Sequence, residues 1–215
     1  MGNALLNLGL LADDAGQTAE THTRLEESLA QFREIGDQWS IALVLMNLGD
    51  LPLAADDDAL AEPRLRASLA LHRQLGDLAT ASYPTFGLGQ IALKRGDAGL
   101  ARRLMSQSLT WRYEAREMRP IAHNLERLAR LDRLEGRFEQ AARLLGAAAA
   151  MRVMVQVALK ARALQDVADD VATLRRLLGA ARYAECWAEG QALTLAQAVA
   201  LALAPEPALA GPRPA

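Results

Sequence analysis

The sequence predicts an all-α protein, a right-handed helical-repeat solenoid closed by a C-terminal helical cap. Three observations predict it. Asn7-Leu8-Gly9, Asn47-Leu48-Gly49 and Gly87-Leu88-Gly89 recur at a step of forty residues. Ser28-Leu29, Ser68-Leu69 and Ser108-Leu109 recur at the same step, as do Gly36-Asp37 and Gly76-Asp77. Small residues close the first helix of each unit at Gly16, Gly96 and Gly136, with Asp56 as the exception. A fixed period of this size marks stacked supersecondary units, none of which buries its apolar face alone.

Repeat 1 covers about 1–36. Its first helix, roughly 1–15, places Leu5, Leu8 and Ala12 at helical spacing. Gly16 ends it as a C-cap glycine. The second helix, about 18–35, carries Thr21, Leu25, Ser28, Leu29 and Phe32 on one face. Gly36 stops that helix, and the carboxylate of Asp37 caps the next. Met1 falls in register with Ile41, Ala81 and Ile121, a few residues inside a helix. Arrays begin with a polar capping element, so the expectation is a chain that is the tail of something longer, or an open reading frame begun internally.

Repeat 2, about 37–76, carries two prolines. Pro52 removes a backbone donor and is expected to kink or end its helix. Pro63 is expected to fit if its helix begins near Glu62, which puts it in the first turn. Asp56-Asp57-Asp58 reads as a solvated turn; the Asp-x-Asp-x-Asp-Gly spacing of a calcium loop is missing. Repeat 3, about 77–116, has Pro84 in its first helix and Ala101, Met105, Ser108 and Leu109 on its second. Repeat 4, about 117–152, starts near Pro120 and continues through Leu125, Leu128, Leu131 and Gly136 to Ala141, Leu145 and Ala148. The small residue after leucine (Gly9, Gly49, Gly89, Ala129) lets a neighbouring helix come close.

Residues 153–203 read as a helical capping segment. One helix spans 160–178 and breaks at Gly179; a short one, 182–189, is closed by Gly190. Thr194 with Gln197 makes a capping box for the last helix, which ends before Pro205. Trp187 reads as a packing anchor. Residues 204–215, rich in proline, are expected to be disordered.

This pattern resembles the tetratricopeptide repeat: Leu-Gly, then Ala-x3-large, then a small residue. The likeness spans residues 1 to about 150, with few aromatics and a unit of forty rather than thirty-four. The forty-residue version is similar to the repeats of large bacterial signal-transduction ATPases related to LuxR-type and cyclase-linked regulators. Leu178-Gly179 through Ala184, Trp187-Ala188-Glu189-Gly190, Leu193-Thr194-Leu195 and Ala198-Val199 resemble the C-terminal segment of those proteins. The resemblance implies a regulatory or interaction region, with the ATPase and DNA-binding modules lying elsewhere. It also implies that first helices line a concave groove, which by register receives Asn7, Asn47, Asp50, Gln90, Arg127 and Arg130. Arg127, Arg130, Arg133 and Arg137 form a basic stripe. Either that stripe is a solvated face, or the groove receives an acidic or extended peptide through amides and guanidiniums.

Composition narrows the function classes. The chain has 215 residues, about half apolar, with a formal net charge of −2. That charge offers no bulk attraction to nucleic acid or a membrane surface. No apolar run reaches eighteen residues. The start lacks a basic region, and Asp13-Asp14 break its apolar run, unlike a signal peptide. Cys186 is the single cysteine, so no disulfide framework arises and a reducing cytoplasm is the expected setting. No Gly-x4-Gly-Lys-Ser/Thr, Gly-x-Gly-x-x-Gly, His-Glu-x-x-His or Gly-x-Ser-x-Gly motif occurs. His22, His72 and His123 are scattered and read as ordinary surface or packing residues. No catalytic residue, metal ligand or cofactor is expected, and the partner is expected to be a protein or peptide. Three functions are therefore open: a regulatory solenoid within a transcription-regulating ATPase, a free-standing adaptor or peptide sensor, and an all-helical enzyme.

Overall fold

The computed structural model describes residues 1–155 and 161–204. The expected disorder of 204–215, past Ala204, and the helix start at Lys160 lie outside the described residues. Among the described residues the chain is all helix, with no strand. The helices are α1 Gly2–Asp14, α2 Thr18–Ile35, α3 Gln38–Ala54, α4 Asp58–Gln74, α5 Leu78–Lys94, α6 Ala98–Glu114, α7 Met118–Leu134, α8 Phe138–Val155, α9 Ala161–Leu178, α10 Ala180–Gln191 and α11 Leu195–Leu203. They fall into two compact units, Met1–Ala115 and Arg116–Ala215.

In the first unit α1/α2, α3/α4 and α5/α6 are the tight pairs, and α2 meets α3 as α4 meets α5. The turns between helices repeat every twenty residues, not forty. Positions 16, 36, 56, 76, 96, 116 and 136 all have positive φ. Glycine fills five of them at no steric cost. Asp56 (φ 65°) and Arg116 (φ 57°) fill the others, so the missing glycine at Asp56 changes the residue and not the turn. One residue later stands the N-cap. Asp37, Asp57, Asp77 and Asp97 each accept a bond from the backbone N–H three residues on.

Each serine of the forty-residue register clamps its pair. Ser28 Oγ donates to the Gly2 carbonyl at 2.9 Å, Ser68 to Ala42 at 2.8 Å and Ser108 to Ser82 at 2.8 Å. All three serines are fully buried. The glycines beside them set the spacing. A Cβ on Gly49 would lie 2.7 Å from Leu65 Cδ2, and one on Gly89 2.9 Å from Met105 Cγ.

Three expectations need correction here. The face of α1 is Gly2, Leu6, Gly9 and Ala12, not Leu5, Leu8 and Ala12; Leu8 is 51% exposed. The flank that carries Leu8 is not the one packed on α2. Pro52 does not end α3, which runs on to Ala54. Its missing N–H leaves the Leu48 carbonyl without the usual i+4 donor, and Arg64 Nη1 of α4 supplies one at 3.2 Å. Helix α4 begins at Asp58, so Pro63 is its sixth residue and lies past the first turn. The carbonyl it cannot serve is that of Ala59, an exposed residue within reach of water.

In the second unit α8 is the central element, touching α7, α9, α10 and α11. It is therefore buried nearly all round, through Ala141, Ala142, Leu144, Leu145, Ala147 and Ala148. Its crossing with α10 is backbone on backbone. A Cβ on Gly146 would collide with the Trp187 carbonyl, and one on Gly190 with that of Arg143. Gly190 thus lies inside α10 and does not close it. That helix needs a glycine for close approach, not for a turn. The Thr194–Gln197 capping box opens α11 as expected. Trp187 lies half-buried, tilted against Tyr183 with centroids 5.8 Å apart, and Cys186 is fully buried.

Candidate partner-binding surface

The residues assigned to a partner fall in both units, and each unit is described by itself. In the first, Asn7 lies on α1, Asn47 and Asp50 on α3, and Gln90 on α5. Asn7 and Asn47 share one register position; Asp50 and Gln90 share another. Asn7 and Asp50 are exposed, while Asn47 and Gln90 are half-buried. Asn47 Nδ2 donates to the Leu43 carbonyl at 2.8 Å, which holds its amide on the helix surface. What these groups offer is a set of amides and a carboxylate able to pair with a peptide backbone or with hydroxyl and cationic side chains.

The acidic turn beside them has a cation of its own. Lys94 Nζ stands 2.8 Å from both Asp56 and Asp58. Its pKa is raised: burial would lower it, and the bonds to the two carboxylates outweigh that. Asp57 is taken by its N-cap role. Among the described residues no group of His, Cys, Asp and Glu is arranged to hold a metal ion.

In the second unit the basic stripe of α7 is met by acidic residues of α9. Arg127 Nη1 lies 2.9 Å from Asp166, and Arg130 reaches Asp166 at 3.3 Å and Asp170 at 3.5 Å. Arg133 Nε donates to Asp170 at 2.7 Å. Arg137 turns instead to Asp132 at 2.7 Å, and to Glu135. The stripe is therefore neither a bare solvated face nor an open site. Its first three guanidiniums hold an acidic helix, with Asp166 and Asp170 one turn apart. Burial would raise Asp166, but the Arg127 bond and charge hold it below the usual carboxylate range. At Asp170 the balance reverses: it is almost fully buried, and burial lifts its pKa despite the arginines.

Sequence reasoning missed Asp166 and Asp170 as partners of the stripe, and it missed a buried arginine, Arg112, and a half-buried one, Arg152. Arg112 stacks over Tyr83 at 4.7 Å and Phe86 at 4.9 Å. Arg152 makes a two-pronged bond to Glu126, 2.6 Å on each arm. The available signal was register: Phe32, His72, Arg112 and Arg152 all occupy one position of the repeat. His22 is exposed beside Glu26, and His123 is half-buried near Arg127. His72 is completely buried, 3.6 Å from Asp77 and edge-on to Trp39. Among the described residues neither of its ring nitrogens has a hydrogen-bond partner. Burial pushes its pKa down, with Asp77 opposing.

Comparison of the sequence with family models and with curated proteins returns no match.

Proposed function

We propose that the chain is a non-catalytic protein-interaction and regulatory module of tetratricopeptide type, working as the cytoplasmic C-terminal part of a larger bacterial ATPase-type transcriptional regulator. One observation carries the interaction reading. Helix pairs repeated in a single register bring the polar residues of the first helices to equivalent places, Asn7 with Asn47 and Asp50 with Gln90. A row of that kind suits an extended polypeptide, whose backbone groups also repeat. The regulator reading rests on the sequence resemblance of the repeats and of residues 178–203. An in-frame phosphate-binding loop encoded upstream of these residues is its direct test; without one, the free-standing adaptor is the better description.

On this reading Arg127 and Arg130, in the second unit, are by themselves a site for acidic peptides, and Asp166 and Asp170 compete for them. The experiment is a peptide-display screen against the purified chain, followed by titration of the selected peptides. Asn47→Ala with Gln90→Ala should weaken binding about tenfold, the equivalent of roughly one lost hydrogen bond. Asp166→Asn with Asp170→Asn should strengthen capture of acidic peptides. Unchanged affinity in both variants contradicts the surface, and ATP turnover by the purified chain contradicts the non-catalytic assignment.

A further inference from the structure

We propose that α9 is an autoinhibitory strap: its acidic end occupies Arg127, Arg130 and Arg133 of α7 as an internal ligand, and it lifts off when an acidic peptide takes those guanidiniums. This rests on the reading of Arg127 and Arg130 as an acidic-peptide site, and it adds the device that closes and opens that site.

What separates a strap from a structural helix is what holds it down. Helix α7 buries Ile121, Leu125, Leu128 and Leu131, and even the short α11 buries Ala198, Val199 and Ala202. Over 164–178, the part of α9 whose side chains are described, only Asp170 and Leu174 are buried. Its apolar stripe is Val167, Val171, Leu174 and Leu178. Leu174 alone is fully seated, and the other three are half-buried. Most helical stability comes from packing such a stripe. A helix seated at one leucine therefore depends on its other bonds.

Those bonds differ at its two ends. At the C-terminal end Leu174 is buried, and the Arg175 guanidinium lies over the Tyr183 ring of α10 at 5.1 Å. At the other end Asp166 and Asp170 meet the three arginines of α7. A guanidinium–carboxylate bond is exchangeable, because an incoming carboxylate offers the same oxygens to the same N–H groups. A buried leucine has no such substitute. The exchange can also proceed in steps. The Asp166 side chain is 28% exposed and that of Asp170 6%, so an incoming acid reaches Arg127 first. Arg130 touches both aspartates, and losing Asp166 leaves it ready to pass to the newcomer. The ligand that fits is an acidic peptide with carboxylates one helical turn apart, the spacing of Asp166 and Asp170. The acidic end then lifts while Leu174 and Arg175 keep α9 attached.

The test follows amide exchange along the full 215-residue chain, with short polyglutamate as the probe. Saturating polyglutamate should speed exchange in residues 164–172 by about tenfold or more and leave α7, α8 and α10 protected. Arg127→Gln with Arg130→Gln should abolish binding of the probe. Without the probe, Asp166→Asn with Asp170→Asn should speed exchange in α9 by a similar factor, again with α7, α8 and α10 unchanged. Leu174→Ala loosens the strap without altering any charge. It should raise the affinity for polyglutamate about tenfold, because a site that is closed part of the time binds more weakly by the fraction closed. Unchanged exchange in α8 shows that the fold survives in each variant. The proposal is overturned if polyglutamate binds while α9 stays protected, which leaves the acidic-peptide site standing without a strap. It is also overturned if α8 and α10 open together with α9, or if Leu174→Ala leaves the affinity unchanged. Polyglutamate binding to none of these chains overturns the strap and the acidic-peptide reading together.

Discussion

Leu8 and Leu48 sit in the same three-residue sequence, Asn-Leu-Gly, at the same place in two first helices, yet one is 51% exposed and the other fully buried. The local code is equal; the neighbours differ. Helix α3 lies between α2 and α4, whereas α1 packs on α2. The comparison teaches that in a repeat array a residue's register position fixes what it is shaped to touch, and its place in the stack fixes whether the contact exists. Features inside a pair should therefore act alike in repeats 1 and 2 where their contacts are equally close, and features between pairs should not.

The largest expected difference is at the leucines. Leu48→Ala removes a fully buried side chain and should cost about 2–5 kcal/mol in urea unfolding, whereas Leu8→Ala should cost below about 1 kcal/mol. Equal costs would break the comparison. The glycines come next. A Cβ on Gly49 meets Leu65 at 2.7 Å with the Leu65 backbone nitrogen close behind at 3.3 Å; on Gly9 it meets the Leu25 side chain at 3.1 Å. Gly49→Ala should cost about 1–3 kcal/mol and Gly9→Ala distinctly less, read as the same midpoint shift.

Phe32 and His72 sharpen the comparison through pH. They share one register position, and both are buried. The folded-state pKa of His72 lies below its ordinary value, so the unfolded chain binds a proton that the folded one refuses. The stability tied to neutral His72 is complete above an unfolded pKa of about 6.5. It is lost as pH falls through that value toward the folded pKa, at up to about 1.4 kcal/mol per pH unit. His72→Phe should remove this acid sensitivity between pH 7 and 5.5. Urea titrations with an unchanged pH slope would exclude His72 as its source. Asp77, held below the usual carboxylate range by the Thr80 amide and the Trp39 indole against its own burial, loses its contribution in a separate window below about pH 3.8.

The smallest effect is at the serines. Ser28→Ala and Ser68→Ala each remove one buried bond within a pair and should each cost about 0.5–1.5 kcal/mol. The two costs should match, because these bonds do not depend on the next repeat. A several-fold difference between them would mean that the pairs are not equivalent units.

Much of this architecture was legible in the sequence because its signals are local. The forty-residue step, the Asp37 cap, the serine positions and the Thr194 capping box each depend on a few residues along one helix or turn. What was not legible depends on partners far along the chain or on what a signal is for. The twenty-residue turn series was hidden where Asp56 and Arg116 adopt the glycine conformation. Gly190 reads as a helix stop, but it serves a backbone crossing with Gly146, forty-four residues away. Pro52 reads as a breaker until Arg64 is seen to serve the freed carbonyl. The arginines of α7 were placed on their helix by spacing alone. Spacing says nothing of Asp166 and Asp170, which engage them across helices.

Native-state amide exchange of the free chain tests most directly whether neighbours, rather than local sequence, set the order of the array. Residues 4–12 of α1 should open with a smaller free energy than residues 44–52 of α3, since the first pair has one interface where the second has two. Protection in α1 equal to or greater than that in α3 would contradict the account.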